Sequence, residues 1–90
     1  MTDSSLMAHA EVPPDVSFVM PAYNEEAIIT QTIRRLVSAF DRAGIRLELI
    51  VVDNGSRDRT GEIVRDLAGE IPRIVPYRVE TNIGYGNGVL

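Results

Sequence analysis

A chain of 90 residues with a net charge of −4 can build one small domain and little more. Its 44% apolar and 24% charged residues make a globular composition, and the acidic balance argues against a nucleic-acid partner, which selects for a basic patch. The absence of cysteine excludes a disulfide framework and any thiolate metal site, and fits a reducing cytoplasm.

Residues 1–15 are small and polar, carry acidic Asp3 and Glu11, and close on Pro13-Pro14-Asp15. They read as a flexible leader rather than a signal peptide. No apolar run approaches the roughly twenty residues that cross a bilayer. His9, the only histidine, lies in this leader, where a general base would lack the fixed geometry it needs.

From Val16 the chain alternates in type. Val16 to Met20 predicts a short buried strand stopped by Pro21. Asn24 is placed to cap a following helix, with Glu25 and Glu26 where the helix dipole favours anions. Ile29, Ile33, Leu36, Val37 and Phe40 recur at helical spacing, and Gly44 suits the terminus. Leu47 to Val52 predicts a second strand ending at Asp53, followed by an Asn54-Gly55 turn. Asp58 then caps a second helix with Ile63, Val64, Leu67 and Ala68 on one face. Arg73 to Val79 predicts a third strand, and Pro76, which cannot donate to a ladder, places it at a sheet edge. Gly84, Gly86 and Gly88 open what reads as a third helix.

This alternation predicts an α/β fold, a three-stranded parallel sheet in the order 3-2-1 with crossover helices. Ligands of such sheets bind beyond the carboxyl ends of the strands. In the first of those loops Tyr23 can stack on a planar base or merely shield the core, and Asn24 reads as a cap. In the second, Asp53 has no evident structural duty and can accept from a base N–H or a ribose hydroxyl, whereas Asp58 has capping to do. In the third, Asn82 to Gly88 reads as a turn before a helix whose amino end attracts anions. Neither G-x-G-x-x-G after the first strand nor a G-x-x-x-x-G-K-[ST] loop occurs.

In order, Pro21-Ala22-Tyr23-Asn24-Glu25, Val52-Asp53-Asn54-Gly55-Ser56-Arg57-Asp58 and Asn82-Ile83-Gly84-Tyr85-Gly86 resemble the motifs of family 2 glycosyltransferases with the GT-A fold. The resemblance covers residues 16–90. It implies a partial, Rossmann-like GT-A domain, the amino-terminal nucleotide-binding half, ending before the family's metal-binding D-x-D motif. It further implies that Tyr23 lies against the nucleotide base and that the backbone at Pro21 and Ala22 lines the same pocket. Glu25 would face the ribose, Asp53 would bond the base edge, and Asn82, Gly84 and Gly86 would close the side. Gly88 stands where many relatives carry alanine.

The implied reaction is inverting transfer of a sugar from a UDP- or GDP-type donor to a polyprenyl phosphate or polysaccharide acceptor, in cell-wall or polysaccharide biosynthesis. The implied Mg2+ or Mn2+ would find its ligands outside this chain, as would the catalytic base. No catalytic or metal residue is therefore expected here, and the chain alone should bind nucleotide without turnover. The implied location is the cytoplasm, at the inner face of a membrane in a longer protein. Lacking the family's neighbouring strand, Val16 to Met20 would form an apolar edge, so a homo-oligomer through the first strand is expected. A sugar-phosphate nucleotidyltransferase fits less well, because Pro21 to Glu26 holds neither the glycine nor the basic residue its phosphate loop needs. A non-catalytic binding or structural module stays open.

Overall fold

The computed structural model describes residues 12–80. They form β1 (Val16–Ala22), α1 (Ile29–Arg42), β2 (Leu47–Asn54), α2 (Thr60–Glu70) and β3 (Ile74–Val79). The strands are parallel in the order β1-β2-β3, the expected 3-2-1 arrangement, with Pro76 in an edge strand.

Along β2 burial alternates strictly, with Leu47, Leu49, Val51 and Asp53 buried. Both helices cover that face. Ile29, Ile33 and Val37 of α1 and Val64 and Leu67 of α2 meet Leu47, Leu49, Val51 and Ile74 in one core, with Leu36, Phe40, Ile63 and Ala68 at its margin. The opposite face and the β1 edge stay open among the described residues, and Val16, Phe18, Val19, Val75 and Tyr77 remain exposed.

Four local expectations change. β1, expected to be buried, is exposed along Val16 to Val19 because it lies at the sheet edge. Pro21 does not stop β1, which runs two residues past Met20 and pairs Pro21 with Val52. Proline is tolerated because β1, too, is an edge strand in the described sheet. Asn24 does not cap α1, which starts five residues later behind Ile28 with no side-chain cap. The capping residue of α2 is formally Arg59, but the Asp58 carboxylate just before it accepts from the Thr60 N–H and hydroxyl, so the expected capping chemistry is retained.

The far end of α1 closes as expected. Gly44 adopts φ 73°, its N–H donates to the Asp41 carbonyl and the Ile45 N–H donates back to Phe40. That pair of bonds is a Schellman motif, and the left-handed residue in it favours glycine. Ahead of β1, Arg46 bonds the Pro13 carbonyl and the Asp15 carboxylate, tying the last residues before that strand to the α1–β2 connection. The third helix and the Asn82, Gly84 and Gly86 loop lie outside the described residues.

Candidate functional site at the strand ends

Register sets Ala22 beside Asp53 and Asp53 beside Arg78, so the carboxyl ends of all three strands share one rim. Tyr23 and Asp53 therefore sit at the same end of the sheet.

The first two loops on this rim interlock. The Asn24 N–H donates to Ser56 Oγ at 2.8 Å, and Asn24 Oδ1 accepts from the Arg57 N–H at 2.8 Å. The Glu25 N–H donates to Thr60 Oγ1 at 2.7 Å, the Glu26 N–H to Asp58 at 3.2 Å, and Glu26 Oε1 accepts from the Arg59 N–H at 2.8 Å. Two of the acceptors, Ser56 and Thr60, are buried hydroxyls. A buried polar group is costly unless paired, so each bond holds one loop against the other. Asn24 reaches this geometry at φ 50°, a left-handed conformation that asparagine tolerates better than most residues.

Asp58 belongs to the same lock. Burial pushes its carboxyl up, but the Thr60 hydroxyl and the N–H groups of Thr60 and Glu26 outweigh this and hold it below the ordinary carboxylate value.

Asp53 carries the structural duty that its sequence context did not disclose. It is only 3% exposed; Oδ1 accepts from the Ser56 N–H at 3.0 Å and Oδ2 pairs with Arg78 Nη1. Arg78 Nη2 also donates to the Ser56 carbonyl at 3.1 Å. The guanidinium is held above its ordinary value, first by its hydrogen bond to Glu80, then, against burial, by the Asp53 charge. Gly61, in the first turn of α2, passes so close that a Cβ there would collide with Asp53 Oδ2 and stand 3.0 Å from Arg78 Nη1. The amino end of α2 therefore abuts the carboxylate, the placement a helix dipole favours.

Two expected site residues keep their side chains out of this network. Tyr23 is 42% exposed on the rim, and the half-buried Glu25 has no side-chain hydrogen bond or ion pair among the described residues. Pro21 is exposed, and Ala22 turns its methyl into the core, leaving only backbone for a ligand. A cavity of about 110 Å³ adjoins Asp53 between α2 and β3, lined by Val51, Gly61, Val64, Arg65 and Arg78 among others but not by Tyr23. Small-molecule pockets usually span roughly 300–1,000 Å³, so this space is too small for a nucleoside.

No group of three or more His, Cys, Asp or Glu side chains converges on a metal position among the described residues. The acid nearest the rim's centre, Asp53, already faces a cation in Arg78. These residues do not fit a divalent metal.

Sequence reasoning missed Arg78, Ser56, Thr60 and Gly61. A signal existed for the arginine: Ile74, Pro76 and Arg78 fall on one face of β3 by alternation, and a charge on a core-facing position calls for a partner.

The glycosyl transferase family 2 model matches residues 17–90. The chain is 35% identical over 77 residues to an undecaprenyl-phosphate 4-deoxy-4-formamido-L-arabinose transferase of Edwardsiella ictaluri (strain 93-146), covering 83% of this chain and 23% of that protein. It is 38% identical over 69 residues to the uncharacterized glycosyltransferase YkcC of Bacillus subtilis (strain 168), covering 77% and 21%. It is 46% identical over 55 residues to the probable glycosyltransferase YdaM of the same organism, covering 61% and 13%. The chain thus spans about a quarter or less of the length of these curated relatives.

Proposed function

The chain belongs to glycosyl transferase family 2, a family of enzymes, and from that premise we propose that its strand-end rim binds the nucleotide of a nucleotide-diphosphate sugar. The observation that carries this is the pairing of Ala22 with Asp53, which sets an exposed tyrosine and an anchored carboxylate at one end of one sheet. In this reading Tyr23 stacks on the base, the backbone at Pro21 and Ala22 lines the pocket, Glu25 faces the ribose and Asp53 accepts from the base edge. Carboxylate oxygens can accept more than one bond each, so the contacts to Ser56 and Arg78 do not use up the lone pairs of Asp53. Asn82, Gly84 and Gly86 would close the pocket from the side.

The reaction proposed for the whole protein is inverting transfer, in which an acceptor oxygen attacks the anomeric carbon in line as the bond to the nucleotide diphosphate breaks; a polyprenyl phosphate brings an ionised oxygen to this step, whereas a sugar hydroxyl would need a base to take its proton. Family 2 chemistry generally uses a divalent metal. Mg2+ or Mn2+ would neutralise the leaving diphosphate, and its ligands and the catalytic base would come from outside this chain. Relatives named for undecaprenyl phosphate favour a polyprenyl-phosphate acceptor over a polysaccharide. Among the described residues no helix is long and apolar enough to cross a membrane. A cytoplasmic site at the inner face of a membrane is part of the proposal, as is self-association through β1, whose Val16, Phe18 and Val19 are exposed at the edge.

Calorimetric titration of the chain with UDP, GDP and the corresponding sugars tests this reading. Saturable binding of one nucleotide without release of sugar is expected. Absence of binding by every nucleotide would leave the structural-module alternative.

A further inference from the structure

We infer that Arg78 is a positioning residue of the nucleotide site, aiming Asp53 and, through Ser56, fixing the backbone beneath Tyr23. This rests on the proposed role of the rim in nucleotide binding and adds a residue to it.

Arg78 closes a ring of bonds at the strand ends. Its Nη1 holds Asp53 Oδ2, its Nη2 donates to the Ser56 carbonyl at 3.1 Å, and the Ser56 N–H returns to Asp53 Oδ1 at 3.0 Å. Both oxygens of the carboxylate are thereby engaged, one by β3 and one by its own loop, so its plane cannot rotate. The same Ser56 turns its hydroxyl to the Asn24 N–H at 2.8 Å, and Asn24 follows Tyr23 directly. A single cation on β3 therefore governs both proposed base-contacting residues, Asp53 directly and Tyr23 through Ser56 and Asn24.

The guanidinium meets Asp53 and the Ser56 carbonyl from two separate nitrogens in one rigid plane, whereas an ammonium keeps the charge but must bring both acceptors to a single nitrogen. Gly61 supports the same conclusion, because α2 forgoes a side chain where it would collide with the ion pair. Preorganised groups need this kind of outer support, without which a binding constellation loosens.

The test uses the full-length protein carrying these residues, with UDP and GDP as titrants and donor turnover measured beside them. Arg78→Lys, which preserves charge, is expected to weaken binding of the preferred nucleotide about tenfold and to raise the donor KM with little change in kcat. Asp53→Asn should weaken binding as well. If Arg78 acts through Asp53, adding Arg78→Lys to Asp53→Asn should cost less than about threefold more. Amide hydrogen exchange at Ser56 and Asn24 should accelerate in the Arg78 variant while the Leu49 and Val51 amides stay protected, which separates loosening of the rim from general unfolding. Fully multiplicative losses, or unchanged affinity in Arg78→Lys, would overturn the positioning role while leaving nucleotide binding intact. Failure of the unsubstituted protein to bind either nucleotide would instead overturn the functional reading beneath it.

Discussion

At Asn24 one residue type suited two jobs, and the backbone chose between them. An N-cap needs extended dihedrals, whereas Asn24 sits at φ 50° and joins its own loop to the next. Asp58 kept its capping chemistry and gained a second use, accepting the Glu26 N–H across the loops. Its carboxyl is lowered in the fold, so it stabilises the fold fully above its unfolded value near about pH 3.9, and that contribution is lost as pH falls through the lower folded value. Asp58→Asn should therefore reduce Tm at neutral pH, with the difference from the parent shrinking steadily below about pH 4; thermal melts from about pH 7 to about 2.5 measure it. Gly61→Ala tests the contact beneath the site. The added methyl would press on Asp53 Oδ2, costing about 1–3 kcal/mol of stability and weakening nucleotide binding in the same variant. An equally stable Gly61→Ala with unaltered binding would refute that close approach.

At the scale of elements, periodicity was a sound guide because burial follows it. The stripe of Ile29, Ile33 and Val37 is the buried face of α1, and the alternation in β2 is the alternation of its sheet faces. Ile33 has no exposed surface, and its truncation in Ile33→Ala should cost about 2–5 kcal/mol, read from urea midpoints. A methyl group at Gly44 would meet nothing within 4 Å, so Gly44→Ala probes backbone strain alone. A penalty of about 1–2 kcal/mol is expected from forcing an L-residue into the left-handed region. The strands were harder to bound than the helices. A proline at the end of an edge strand loses no ladder bond on its open side, so β1 could continue through Pro21 where its composition suggested a stop.

Across the whole molecule, two helices on one face leave the other face of the sheet bare among the described residues. Val19, at 59% exposure, and Tyr77, at 61%, mark that open surface. The proposed association through β1 predicts that Val19→Lys lowers the apparent mass at high protein concentration, because a charge on an open edge strand opposes pairing. Light scattering across a dilution series checks this, and a mass unaffected by the lysine would remove β1 from the contact. Fold stability should stay within about 0.5 kcal/mol of the parent, since Val19 lies outside the core. Arg34 and Glu70 join α1 to α2 through a bidentate pair at 2.6 and 2.8 Å, but both are half exposed, so the pair sets helix alignment more than it sets stability.

Among the described residues, the order of strands and helices, the parallel sheet and the end of it that carries the first two motifs were legible in the amino-acid string. Apolar spacing, turn residues and short connections are local properties, and local properties survive in one dimension. The distant partners of Asn24, Asp53 and Thr60, namely Ser56, Arg78 and Glu25, were not legible, because each lies 25 to 35 positions away and is selected by sheet register and loop closure. Only the assembled rim could reveal that Asp53 shares its charge with Arg78, and that Gly61 is bare to make way for both. Spacing along the chain specifies which face a residue takes; what it meets there depends on which strands come to lie side by side.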